Sequence, residues 1–194
     1  MFKKQLLKKI GLAILLCAST GVTFGQLQID PKISQVNGSQ KFVIVLKGAS
    51  EGKDKVFMDN GTASSFYFNP SDLNTYPTWR INRIRVDRGA NVSPLYYITL
   101  QNARTFEYFA YGNKGENKMI SQDEYKKFFE RDQNGNSKYT IQDMYHCVYR
   151  PYTREDGKHF VLTYHDDKDG VGTVHIFRKG WPSSHMRLVL VSLK

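Results

Sequence analysis

The sequence is poor in the features that staple, span or repeat. Its 194 residues hold two cysteines, Cys17 and Cys147, and Cys17 falls in a stretch that reads as a removable leader. An internal disulfide is therefore excluded from the mature chain, and stability must come from an apolar core, helped by any bound metal. Apolar runs stay below the roughly 18 to 20 residues that a membrane-spanning helix needs, so no transmembrane span is expected in the mature protein. There is no internal repeat and no low-complexity tract. The Gly-x-Ser-x-Gly elbow of serine hydrolases is missing, and none of the five histidines shows the His-x3-His or His-Glu-x2-His spacing that sets two imidazoles on one helix face for zinc. No nucleic-acid recognition motif appears either, and a nucleic-acid partner is not expected.

What is present begins with a charged start. Met1 to Lys9 carries four lysines and no acid, and runs into the apolar stretch Ile10 to Ala18. That order is the charged region and hydrophobic region of a secretory signal peptide. Thr23 and Gly25 supply small residues at the third and last positions before a cut, which predicts a signal peptide over residues 1–25 and a mature chain from Gln26. A lipid-modified cysteine can also end such a leader, but Leu16 is too bulky for the position before Cys17, so a lipoprotein is the minority expectation. Removing 25 of 194 residues leaves 169, enough for one domain with a real core. Removing four of 28 basic residues leaves 24 against 18 acidic ones, so the net charge falls from +10 to +6. A moderately basic protein exported to the periplasm or beyond favours anionic contacts: an acidic envelope or extracellular protein, a glycan or a lipid.

Past the leader, most of the chain alternates with a period near two. Phe42–Leu46, Phe66–Phe68, Leu95–Leu100, Phe106–Tyr111, Phe160–Tyr164, Thr173–Phe177 and Leu188–Leu193 are rich in β-branched and aromatic residues. Turn formers separate them, among them Asn37-Gly38, Asn60-Gly61, Asn69-Pro70, Arg88-Gly89 and Asp169-Gly170. The expectation is a single mainly β domain over 26–194, a β-sandwich or open barrel. One segment, Ser121 to Val148, breaks the rhythm. Ser121-Gln122-Asp123-Glu124 reads as a capping box ahead of an apolar stripe of Tyr125, Phe128 and Phe129. Thr140-Ile141-Gln142-Asp143 reads as a second helix start, with Met144, Cys147 and Val148 as its apolar face. This predicts a helix-loop-helix inserted between strands.

The loop between those helices runs from Asp132 to Asp143 and places oxygen-bearing side chains at loop positions one, three, five, nine and twelve: Asp132, Asn134, Asn136, Thr140 and Asp143. The segment of about 28 residues resembles the EF-hand, and the aspartate at position twelve is similar to the loops of dockerin modules. The resemblance implies a calcium site, with the Lys138 carbonyl as the backbone ligand at position seven. It departs from the family at Ser137, where a glycine is usual, and at Asp143, one methylene shorter than the usual glutamate. Two carboxylates imply weak affinity, on the order of 10⁻⁴ to 10⁻³ M, which suits a structural ion rather than a sensor. An ordinary polar turn uses the same residue types.

Other clusters have simpler readings beside their chemical ones. His165 to Gly172 offers alternate aspartates for a second ion, but it lies between two strands and reads equally as a hairpin loop. Cys147 falls on an apolar face and reads as a small buried hydrophobe. The run Trp79 to Arg88 interleaves Arg80, Arg83, Arg85 and Arg88 with apolar residues. Arginine forks there suit anion or partner binding, and a charged edge strand that resists aggregation gives the same sequence. Keeping Trp79, Ile81, Ile84 and Val86 all inward would require a bulge near Asn82 or Arg83. Three functions remain open: an exported calcium-binding recognition protein, a periplasmic inhibitor or immunity protein whose arginines plug an acidic cleft, and a secreted hydrolase using a histidine or Cys147.

Overall fold

Strand β1, Lys41–Ser50, shows why the chain folds as β. Phe42, Ile44 and Leu46 point to one side and Val43 and Val45 to the other, and all five are fully buried. A strand buried on both faces must lie in the middle of the structure, and each such side chain contributes roughly 1.5–3 kcal/mol of burial. The computed structural model describes residues 30–50, 52–112, 115–136, 138, 146–166, 170–176 and 185–191. The other strands are β2 Lys53–Phe57, β3 Ala63–Tyr67, β4 Trp79–Val86, β5 Leu95–Asn102 and β6 Tyr108–Tyr111. They continue with β7 Asn117–Ile120, β8 Arg150–Thr153, β9 Phe160–Asp166, β10 Gly170–Thr173 and β11 Met186–Val191. The mainly β expectation holds. Among the described residues, helix is confined to two short 3-10 turns, Ile33–Gln35 and Pro70–Thr75, and one α-helix, α1, Gln122–Lys127. No helix among the described residues is long and apolar enough to cross a membrane.

All pairings between these strands are antiparallel, in the order β10-β9-β11-β1-β4-β5-β6-β7, with β2 and β3 branching from β1 and β8 from β9. Register puts like faces together: Phe42 opposes Leu190, Ile44 opposes Leu188 and Leu46 opposes Met186, while Ile81 opposes Leu100. The inward residues of β1, β4, β5, β9 and β11 therefore converge on one core that also holds Phe57, Phe109 and Tyr149. Tyr149 exchanges both backbone hydrogen bonds with Ile98, at 2.8 and 2.9 Å, just before β8 begins. The pairing that leaves β9 through β11, β1, β4 and β5 thus returns to β9 by way of Tyr149 and β8. On the outer face of β1, the turn Pro70–Thr75 and Tyr76 cap a smaller cluster of Val43, Val45, Val56 and Val189.

Three strands escape the sequence pattern. β2, β7 and β8 are short and polar, reading Lys-Asp-Lys-Val-Phe, Asn-Lys-Met-Ile and Arg-Pro-Tyr-Thr, and are held by pairing with neighbouring strands rather than by their own alternation. The expected strand Thr173–Phe177 is displaced toward the turn, because β10 spans Gly170–Thr173. No bulge interrupts β4. It pairs with β5 in unbroken register from Trp79 opposite Asn102 to Val86 opposite Leu95, so Ile84 and Val86 turn to the outer face. The second helix needs correction at its end. Residues 139–145 lie outside the described residues, but His146 bridges to Tyr111 and Cys147 and Val148 are not helical. The backbone amides of His146 and Tyr149 are claimed by strands β6 and β5 instead.

Candidate calcium loop and arginine-bearing hairpin

Helix α1 forms where the capping signal places it. The Ser121 hydroxyl accepts the Glu124 N–H at 3.1 Å, acids occupy the first turn and Lys126 and Lys127 the last, all favourable to the helix dipole. The Glu124 carboxylate turns to Lys118 rather than back to the cap. Tyr125 stacks on Tyr108 at 3.8 Å with rings almost parallel, and Phe128 joins Ala110, Ile120 and Cys147 beneath the helix. The third predicted apolar residue, Phe129, is exposed at 51%.

Beyond α1 the chain enters the predicted calcium loop. Asp132 Oδ1 accepts the amides of Asn134 and Asn136, each at 2.8 Å, and the Asp132 N–H donates to the Asn136 carbonyl at 2.8 Å. Gly135, at position four, takes the left-handed backbone that makes this turn possible, with φ of 81°. The Asn136 amide foremost, with help from that of Asn134, holds the Asp132 carboxyl below the usual carboxylate range against an opposing desolvation cost. The Asn136 carboxamide lies beside the same carboxylate, 3.5 Å away. Lys138 closes the described part of the loop: its N–H donates to the Glu130 carbonyl and its ammonium pairs with the Glu130 carboxylate. Asp132, Asn134 and Asn136 are thus gathered on one exposed turn, while Ser137, Thr140 and Asp143 lie outside the described residues. A carboxylate and two carboxamides on one turn can offer only hard oxygen ligands, which suit calcium better than zinc or copper, and here it is Asn136 Nδ2 that faces Asp132 Oδ2. Among the described residues no group of three His, Cys, Asp or Glu side chains comes together.

The four arginines do not form one patch. Arg80 sits on the outer face of β4, its guanidinium 5.7 Å from the Phe106 ring, with a buried Nε that has no hydrogen-bond partner. Arg83 and Arg85 share the opposite face. Arg83 lies over the Tyr96 ring at 4.4 Å and donates to the Ser34 carbonyl, while Arg85 pairs with Asp87 at 2.8 Å. Arg88 is past the strand, where its Nε and Nη2 both donate to the Ser93 carbonyl and brace the turn.

The hydrolase candidates are dispersed. Burial pushes the Cys147 thiol up to about 12, and the nearby Glu124 charge adds to it, so the thiolate needed of a nucleophile is strongly disfavoured. His146 stacks on Tyr164, His159 pairs with Asp156 inside a turn, and His175 is exposed. Between β9 and β10, Asp166 pairs with Gly170, so the second acidic cluster spans a hairpin; Asp167–Asp169 lie outside the described residues.

One polar network gave no signal in the sequence. Asn102 is fully buried, its side chain donating to Asp59, 43 residues earlier, and accepting the amides of Arg104 and Thr105. Arg104 also pairs with Asp59, which ties the β2–β3 hairpin to the turn after β5. No protein-family model matches the chain, and no curated protein sequence matches it.

Proposed function

We propose that this protein is exported and recognises another component of the cell envelope or extracellular space, with calcium bracing the loop at Asp132 to Asp143. The observation that carries the calcium part is the double capture of Asp132 Oδ1 by the Asn134 and Asn136 amides, which folds three oxygen-bearing side chains onto one turn directly after α1. Asp132, Asn134, Asn136, the Lys138 carbonyl, Thr140 and Asp143 would hold the ion. It would neutralise the carboxylates and brace the segment between α1 and β8. The recognition part is favoured by the basic mature chain and by the scatter of the histidines and the burial of Cys147, which leave little for a hydrolase. The return of the strand pairing through Tyr149 favours a barrel over a sandwich.

Calorimetric titration of calcium into chelator-treated mature protein tests the reading, with Asp132→Ala as the control and a parallel melting curve. Saturable binding that vanishes in the variant, with a raised melting temperature, supports it. No binding up to about 10 mM, above the range of extracellular calcium modules, reduces the loop to a turn.

A further inference from the structure

The β4–β5 hairpin runs out beyond the body of the protein. Past Trp79, β4 has only β5 as a strand neighbour among the described residues, and β5 from Leu95 to Tyr97 has only β4. Every residue from Arg85 to Ser93 is exposed. A free two-stranded arm of this kind is marginal unless braced, and two arginines brace this one: Arg88 clamps the turn through the Ser93 carbonyl, and Arg83 ties its base to Ser34. Residues 83–96 carry three arginines against one aspartate, a local charge of +2. Interleaved with them are apolar side chains that water should disfavour: Val86, Val92 and Tyr96 are 41%, 47% and 39% exposed.

We propose that the outer end of this hairpin, residues 83–96, docks the protein on an anionic phospholipid surface. Val86, Val92 and Tyr96 enter the headgroup layer, and Arg85 meets lipid phosphates, for which the guanidinium fork is matched. Neither a few apolar side chains nor two or three charges hold a protein on a bilayer alone, and the arm combines both signals. An acidic protein cleft fits less well. It would ask for cations aligned on one face, whereas here Arg83 and Arg85 lie on one face of β4, Val86 on the other, and Val92 in the turn. A fluid surface offers phosphate and hydrocarbon around the whole tip and needs no such alignment. The proposal rests on the reading of the protein as an exported envelope binder.

The test is sedimentation of the full mature chain with vesicles of phosphatidylglycerol and phosphatidylcholine in equal parts, and with vesicles of phosphatidylcholine alone. Binding is expected to the anionic vesicles only, and to weaken sharply between about 0.1 M and about 0.5 M salt. Arg85→Ala should weaken it roughly five-fold, the change expected of one arginine lost from an anionic lipid surface, and Val92→Asp should weaken it further. Lys127→Ala removes the same charge from exposed α1 and should leave it unchanged. Melting curves show that the variants are folded. Millimolar inorganic phosphate should not displace the protein if the lipid surface is the ligand. No binding to anionic vesicles, as an acidic protein partner would predict, overturns the proposal. So does equal loss in Arg85→Ala and Lys127→Ala, or displacement by free phosphate. Each arm is run in calcium and in chelator: failure on vesicles with calcium binding intact overturns the hairpin alone, and the reverse overturns only the calcium reading.

Discussion

Asp132 and Asn136 hold one another twice, the Asp132 N–H donating to the Asn136 carbonyl while the Asp132 carboxylate accepts the Asn136 N–H, both at 2.8 Å. The carboxylate therefore has two jobs, building the turn and supplying charge. Asp132→Asn keeps a side-chain acceptor and removes the charge, whereas Asp132→Ala removes both. In chelator, Asp132→Asn should melt close to the wild type and Asp132→Ala below it. In calcium titrations both should lose roughly ten-fold or more in affinity, since charge count sets affinity in such loops. Equal affinity in wild type and Asp132→Asn would sink the calcium site.

The same carboxylate sets a behaviour in acid. Its folded pKa is lowered by the amides of Asn136 and Asn134, and that of Asp156 is lowered by the amide and ring of His159 and by the Lys158 amide. A depressed carboxylate contributes stability that is present above its unfolded pKa and is lost as pH falls through the lower folded value. The melting temperature should begin to fall below about pH 4, where unfolded aspartates take up protons first. Replacing Asp156 with Asn should flatten that decline, as seen by calorimetry across the acid range.

At the other end of the pH scale the sign reverses. Burial pushes Cys147 and Tyr125 up to about 12, and raises Tyr108 and Tyr149 as well. The folded protein keeps these protons where the unfolded chain has begun to release them. Stability is thus full below the unfolded thiol pKa, near 8.5, and declines as pH rises from there toward 12. A thiol reagent at pH 8 should leave the native protein unmodified over hours and label Cys147 once denaturant is added. Rapid labelling of the native state would show the thiol to be accessible.

Much of this architecture was legible in the sequence, and the omissions have physical causes. β1, β5, β9 and β11 announced themselves because a core strand must alternate or run apolar, and the Ser121 cap was visible because capping is a local hydrogen bond. β2, β7 and β8 were hidden because they are short and polar, and each is held by pairing with the strand next to it in the chain rather than by an alternation of its own. The helical stripe ending at Cys147 and Val148 misled, since two apolar residues fit an inward-facing bridge as well as a helix face, and the amides of His146 and Tyr149 found better partners in Tyr111 and Ile98. At the candidate sites, Asp132, Asn134 and Asn136 do share a turn, because five consecutive residues decide it. The arginines divided because the faces of β4 depend on whether a bulge exists, which its own sequence does not specify.

Tyr149 closes the core. Fully buried, it lies within reach of the Phe109 carbonyl at 3.1 Å and the His146 carbonyl at 2.6 Å, to which its hydroxyl donates. Tyr149→Phe keeps the ring contact with Phe109 and removes the hydroxyl hydrogen bond, while the His146 carbonyl keeps the Tyr111 amide as a donor. The expected loss is about 0.5–1.5 kcal/mol, the net worth of one buried hydrogen bond. Urea denaturation followed by tryptophan fluorescence, to which buried Trp79 contributes, measures it, and a change within about 0.5 kcal/mol, the scale of neutral substitutions, would show that the hydroxyl does not tie the strands.

Two glycines in one hairpin should behave oppositely. Gly170 has φ of 83° and open space where a Cβ would go, so Gly170→Ala costs only backbone strain, roughly 1 kcal/mol. Gly172 has an ordinary φ, but an added Cβ would fall 2.3 Å from Tyr164 Cζ. That ring cannot withdraw freely, because it stacks on His146 at 4.3 Å and leans on Tyr111 at 5.4 Å. Gly172→Ala should therefore cost about 1–3 kcal/mol through overpacking. Truncating the ring separates the two mechanisms. In a Tyr164→Ala background the cost of Gly172→Ala should largely disappear, while that of Gly170→Ala should persist, so the first pair couples and the second adds. If both pairs proved additive in urea denaturation, the Tyr164 ring would not be what requires glycine at position 172.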